Sequence, residues 1–358
     1  MNVQDHAVVV GISKYGSLKP ALEGPERDAK AFADWLESPE GGAVPPSNLT
    51  RVLSSKFDQH DANRGNDAFL FEPTLSSMTA AFARLMALTA RNSSKVPRVG
   101  RRLYIYLSGH GITPRVDPVT STNQSALLPA NSMEDVNLDG VSGHAYAEWF
   151  RLSHAFAEIV MFMDCCRTDR PDVAPPPITA PIVQGGRPDD VLVFYGWATR
   201  WDTRAWEQVL GTPPSKRGVF TFALMEALTT GQTDAQGRLT PQGIVGHVNI
   251  RVPQLRQNDV RQLPQFFPPN PDGRIVIASR ATAPPEPNTT ITFAPPLFGQ
   301  QFDLQDGSTF ATLLSRTASA APWALALNPG TYVITRAGGR DTPLIVRPGG
   351  TVKEHLDD

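Results

Sequence analysis

Residues 102–111 read RLYIYLSGHG and residues 159–167 read IVMFMDCCR. Each is an apolar run that breaks abruptly into polar residues or glycine. Runs this short, rich in Ile, Val, Tyr and Phe, read as strands buried on both faces. In open parallel sheets, ligands bind beyond the carboxyl ends of the strands. Ser108-Gly109-His110-Gly111 and Cys165-Cys166-Arg167 therefore stand where such a fold places its chemistry. Glycines on both sides of His110 allow a second backbone to come close. A cysteine facing a histidine makes a nucleophile with its own base, because the imidazole can take the thiol proton.

The same reading extends outward along the chain. His6–Ile12, Leu49–Leu53, Val191–Tyr195 and Arg274–Ala278 are further strand-like runs. Between them, Glu23–Leu36, Thr74–Ala90, Ala145–Phe156 and Val219–Leu228 carry helical spacing, and Thr240-Pro241 opens another helix. This alternation predicts an α/β fold, with a mostly parallel six-stranded sheet covered by helices on both faces. The pattern changes beyond a proline-rich linker at 281–289. Thr290–Phe293, Trp323–Leu327, Thr331–Thr335 and Leu344–Val346 are short strands set off by Asn-Pro-Gly and Arg-Pro-Gly-Gly turns. The expected organisation is an α/β domain over 1–280 and a small, β-sandwich-like domain over 290–358. Arg170–Asp190 holds six prolines and reads as an exposed loop.

Composition excludes several classes of function. Charged residues make up 19% of the 358 and the net charge is −2, so no basic footprint for nucleic acid is present. No apolar run reaches about 18 residues, which argues against a membrane partner. Met1–His6 lacks the regions of a secretory signal. The two cysteines are adjacent, which is no disulfide framework, and a reducing cytoplasm is the expected compartment.

Taken in order, VVVGISKY, Leu22, Gly24, Asp28-Ala29, YLSGHG, DCCR, GVFT and QLPQF make the chain resemble the caspase-like cysteine peptidases, most closely the metacaspase branch. The separation of 56 residues between His110 and Cys166 matches the roughly 50 of that family. The pentapeptide around the nucleophile of animal caspases is absent, and Arg167-Thr168-Asp169 replaces the His-Ser-Gly usual in metacaspases. The resemblance implies a caspase-type fold, with Cys166 as nucleophile and His110 as general base. Strand alternation would turn Cys165 to the opposite face, as core packing. Backbone N–H groups at Gly109 and Cys166 are the expected oxyanion donors.

Metacaspase pocket positions carry over to Asp28, Ser108 and Asp164, a set suited to the cation of arginine or lysine. The implied partner is a protein or peptide substrate, with an activating protein partner in a bacterial defence or cell-death pathway. The alternative is a pseudoenzyme scaffold acting through its β-domain. No metal or cofactor is expected: Asp135 and Asp139 lack the glycine and glutamate spacing of a calcium loop, although some metacaspases use calcium. His144 and His154 read as surface or loop histidines. Trp197, Trp201 and Trp206 read as core or as lining of a substrate groove. In the family, the loop after the cysteine is often cut. Here its basic residues, Arg170 and Arg187, each precede proline, so a stable single chain is expected. The alternative cut sites Arg200, Arg204 and Lys216-Arg217 lie later, and of these Lys216-Arg217, in a Pro-Pro-Ser context, reads as exposed.

Overall fold

The computed structural model describes residues 4–357, apart from 58–66, 92–97, 115–124, 135, 137, 171, 174–177, 179, 183–186, 235, 258–261, 270–272, 280–286, 308–309, 328–329 and 347–349. The chain divides into two compact units, 1–280 and 281–358. Most of the expected linker, and parts of the turns at 328–329 and 347–349, lie outside the described residues.

The first unit is built on a six-stranded sheet. Its strands are β1 (Asp5–Gly11), β2 (Leu49–Leu53), β3 (Gly100–Ser108), β4 (Phe156–Asp164), β5 (Leu192–Trp197) and β6 (Gln265–Phe267). Their order is β6-β5-β4-β3-β1-β2, and all pairings are parallel except β6 against β5. Register places Ser108 beside Asp164 on one side and Gly11 on the other, so β1, β3 and β4 end at one level.

Helices α1 (Gly24–Glu37), α4 (Val219–Thr230) and α5 (Pro241–Leu255) cover one face, where Phe32, Tyr104, Tyr106, Phe162 and Phe220 pack together. Helices α2 (Leu75–Arg91) and α3 (Gly143–Leu152) cover the other, over Phe82, Leu103, Ile105, Leu107 and Phe150. Alternate residues of β3 serve opposite faces, as a period of two requires. Each such fully buried side chain contributes about 1.5–3 kcal/mol.

Two sequence expectations are corrected here. The sixth strand is Gln265–Phe267, whereas Ala278–Ser279 pairs with Arg238–Leu239 in a separate ribbon. Ile275 and Ile277 are buried, but the carbonyls of Val276 and Ile277 accept from buried Arg102 at 2.7 and 3.3 Å rather than from a strand. The third helix ends at Leu152, and Phe156 opens β4.

The second unit contains two sheets. In one, β7 (Thr289–Phe293) lies between β10 (Trp323–Leu325) and β13 (Val352–Leu356). In the other, the order is β9 (Thr312–Thr317), β8 (Gln301–Asp306), β11 (Gly330–Thr335), β12 (Thr342–Val346). Both contribute to one core, which includes Ile291, Phe293, Phe302, Leu304, Trp323 and Ile334. Strands β8, β9 and β13 were not expected from the sequence.

Candidate active site

The polar ends of β3 and β4 meet at one cavity of about 490 Å³, lined among others by His110, Cys166, Ser108, Asp164 and Asp28. The imidazole of His110 is held from two sides. Its backbone N–H donates to the Tyr15 hydroxyl at 2.8 Å, and the two rings stand edge to face at 4.7 Å. Its Nε2 lies 2.9 Å from the Pro20 carbonyl. A carbonyl only accepts, so Nε2 carries the proton and Nδ1 is left as the acceptor in the neutral ring. Burial lowers the pKa of His110, and the Pro20 contact offsets this in part.

Cys165 is buried in the apolar cluster beneath α2 and α3, where burial pushes its thiol far up. Cys166 is half-buried, and its Sγ donates to the Ala205 carbonyl at 3.7 Å. Burial also raises the Cys166 thiol, and Asp164 adds to the effect. Among the described residues, Cys166 and His110 are not hydrogen-bonded to each other. The resting pair is therefore a neutral thiol and a neutral imidazole facing one cavity. The backbone N–H of Cys166 has no partner among the described residues. The N–H of Gly109, expected as a second oxyanion donor, instead donates to the Asp164 carbonyl at 3.3 Å. The sheet's own ladder extends one residue further than the strand-end reading assumed.

The expected pocket residues come together around Gly218. Asp28 on α1 is wholly buried and ion-paired to Arg217, while its Oδ2 accepts from the Gly218 N–H at 2.6 Å. Asp164 accepts at Oδ2 from the Thr221 hydroxyl at 2.6 Å and the Thr221 N–H at 3.1 Å. Burial is the largest influence on both acids. It raises Asp28 to about 7 against the pull of Arg217, and Asp164 to about 6 against its bonds from Thr221. Gly218 is required by this packing. A Cβ there would overlap Asp164 Oδ2 and sit 3.1 Å from Asp28 Oδ2.

Several residues that shape the site escaped the sequence reading. Glu207 accepts from the N–H of Gly24 at 2.7 Å and of Glu23 at 3.4 Å. It caps α1 from a distance, where Glu23 itself provides no side-chain cap. Trp206 lines the cavity beside it. The strands Glu207–Leu210 and Ser215–Gly218 form a hairpin that carries Glu207 and Arg217 together. The only signal for it in the sequence was the GVFT motif that the hairpin leads into. Lys216-Arg217 is thus not loop: Arg217 is paired with Gln208 within the hairpin.

The remaining expectations divide. Trp197 is buried and Trp201 exposed, so of the three tryptophans Trp206 alone lines the cavity. His154 lies in the turn between α3 and β4, as a loop reading allows, but is buried, whereas half-buried His144 sits on α3 and packs on Tyr195 and Trp197. Asp135 and Pro171 lie outside the described residues, and Asp139 is exposed. Within 170–190, Arg187 and Asp189 are exposed, but Ala180 is tied down by Trp149, whose Nε1 donates to its carbonyl at 3.0 Å. Among the described residues, no helix is long and apolar enough to cross a membrane.

A family model described as the caspase domain matches residues 4–273. A "Probable protease" from a Desulfuromonadales bacterium is 27% identical over 228 residues, covering 63% of this chain and 26% of that protein. The chain thus spans about a quarter of that relative's length. Among solved structures, Caspase-1 from Spodoptera frugiperda aligns with a TM-score of 0.43 and 12% identity, over 74% of this chain and 86% of its own. A protein from Geobacter sulfurreducens aligns at 0.42 and 12%, over 78% of this chain and 98% of its own.

Proposed function

Because this chain belongs to the caspase-domain family of peptidases, we propose that it is a cysteine endopeptidase of metacaspase type, cleaving proteins after arginine or lysine. The observation that carries the reading is that His110, Cys166, Asp28, Ser108 and Asp164 line one cavity at the strand ends. With substrate bound, Nδ1 of His110 takes the thiol proton as Sγ of Cys166 attacks the scissile carbonyl. The N–H of Cys166 donates to the oxyanion. The imidazolium then protonates the leaving amine, and water hydrolyses the thioester with His110 as base. Pro20 holds the ring in the tautomer this sequence of transfers requires.

Basic specificity is supported by the carboxylates of Asp28 and Asp164, which line the cavity with Ser108, although Lys19, Arg170, Arg204 and Lys216 line it too. The reading needs no cofactor. It includes a cytoplasmic setting, consistent with two free thiols, and an activating protein partner in a defence or cell-death pathway, which rests on family kinship alone. A screen of peptides varied at the residue before the scissile bond, with and without calcium and with Cys166→Ala as control, tests it. Cleavage after Arg or Lys that is lost in Cys166→Ala is the expected result. Cleavage after aspartate would overturn the specificity, and no cleavage under any condition would favour the scaffold.

A further inference from the structure

Asp28 enters the pocket already engaged. Its Oδ1 receives the Nε–H of Arg217 and its Oδ2 the N–H of Gly218. Asp164 has one oxygen occupied as well, since Oδ2 receives both donors of Thr221. Among the described residues, Asp164 Oδ1 has no hydrogen-bond partner. The acidic pocket therefore offers an incoming side chain Asp164 Oδ1 and the hydroxyl of Ser108, beside Glu207, whose two oxygens already accept from Gly24 and Glu23, with Arg217 as a resident positive neighbour.

These acceptors do not suit lysine and arginine equally. A guanidinium is held best by both oxygens of one carboxylate, in a planar fork. Neither Asp28 nor Asp164 presents two open oxygens. An ammonium is a compact charge with three rotatable donors and needs no paired oxygens. It can use Asp164 Oδ1 and Ser108 as they stand. Arg217 is the resident cation of this wall. Nε makes its bond to Asp28, the Phe222 ring lies 5.8 Å from the guanidinium carbon, and its Nη atoms have no hydrogen-bond partner among the described residues.

We propose that Arg217 is a specificity-determining residue, which biases the pocket toward lysine over arginine by occupying Asp28 with the chain's own guanidinium. This rests on the basic-pocket reading above and goes beyond it in naming which base is preferred and why.

The test uses two peptides identical except for Arg or Lys before the scissile bond, cut by the full-length chain. The readout is the ratio of kcat/KM for the Arg peptide to that for the Lys peptide. Both values come from one preparation, so the active fraction cancels. The wild type favours lysine. Arg217→Gln removes the charge and opens Asp28 Oδ1, and moves the ratio toward arginine by about tenfold, the value of one charge-assisted hydrogen bond. Arg217→Lys keeps a cation on Asp28 and leaves the ratio near that of the wild type. A wild type that prefers arginine, or an Arg217→Gln ratio within twofold of the wild type, overturns the inference. So does failure of both variants to fold, which would mark the ion pair as purely structural. If the wild type cuts neither peptide but cuts others, the basic-pocket reading fails and takes this inference with it. If both peptides are cut and the ratio is insensitive to Arg217, this inference alone fails.

Discussion

Thr221 binds one oxygen of Asp164 twice, with its hydroxyl at 2.6 Å and its backbone N–H at 3.1 Å. The Thr221 hydroxyl also lies 2.6 Å from the hydroxyl of buried Tyr106. Its single proton goes to the carboxylate, so Tyr106 is the donor to Thr221. A directed chain thus runs from the core of the sheet to the pocket wall. Thr221→Val keeps the shape but leaves the Tyr106 hydroxyl with Ser108 alone as a side-chain partner and Asp164 with one donor fewer. The expected cost is about 1–3 kcal/mol of stability, read as a lower midpoint in thermal melts. KM for basic peptides rises several-fold. A variant as stable as the wild type would show that the chain carries no weight.

The two pocket acids make opposite predictions for stability and for binding as pH changes. Burial holds Asp28 near 7 and Asp164 near 6, above the ordinary 3.8. Between about pH 4 and pH 7 the folded protein binds more protons at these groups than the unfolded chain does. Their contribution to stability is therefore greatest at the acid end and is lost as pH rises through 6 to 7. A basic substrate needs the ionised forms, so KM should fall over the same interval. Measuring KM separately from kcat avoids confusion with the titration of His110. A KM that is flat between pH 5.5 and 8 would contradict the role of these acids.

The strand ends were legible because β3 and β4 are continuous apolar runs that stop at His110 and Cys166, and buried parallel strands must read that way. The Arg274–Ala278 run misled for a physical reason. Ile275 and Ile277 are apolar because they fill the core, while buried Arg102 donates to the carbonyls of Val276 and Ile277. The true edge strand, Gln265–Phe267, has three residues between Pro264 and Pro268 and leaves little pattern to find. The pairing of Asp28 with Arg217 joins residues 189 apart in sequence. The Glu207 cap on Gly24 spans 183. Such contacts depend on how the hairpin docks on α1, and no local periodicity records them.

The adjacent cysteines should behave as different chemical species. Cys166→Ala is expected to abolish cleavage with the melt unchanged. Cys165→Ala removes a buried sulfur from the core, so activity survives while stability drops by about 0.5–3 kcal/mol. Because burial raises the Cys166 thiol and lowers the His110 imidazole, the resting enzyme holds little thiolate at pH 7. Alkylation of Cys166 by iodoacetamide should then be slower than that of a free cysteine at pH 7 and accelerate into alkaline pH. Fast, pH-independent alkylation would indicate a preformed thiolate–imidazolium pair.

The chain should stay in one piece when incubated alone. A protease needs its target backbone drawn out as an extended, unpaired segment, with the basic side chain free to enter the pocket. Arg217 meets neither condition. Its backbone is paired with Gln208 in the hairpin and its side chain is ion-paired to Asp28. Cutting there would require the pocket that performs the cut to come apart. Lys216 is tied to the same surface, through an ion pair with Glu23 at 3.3 Å and through its carbonyl, which accepts from Arg27 at 2.7 Å. Arg187 is exposed but precedes Pro188, whose ring restricts the residue before it and whose nitrogen lacks a proton. Arg170 pairs in register with Pro114 and holds Asp172 at 2.7 Å. Intact mass spectrometry of the wild type and Cys166→Ala, incubated side by side, should give the full-length mass for both. Rapid cutting of the wild type alone between Arg170 and Asp190 would show that the proline and pairing arguments fail. Cutting after Arg217 would show that the hairpin opens far more readily than its contacts imply.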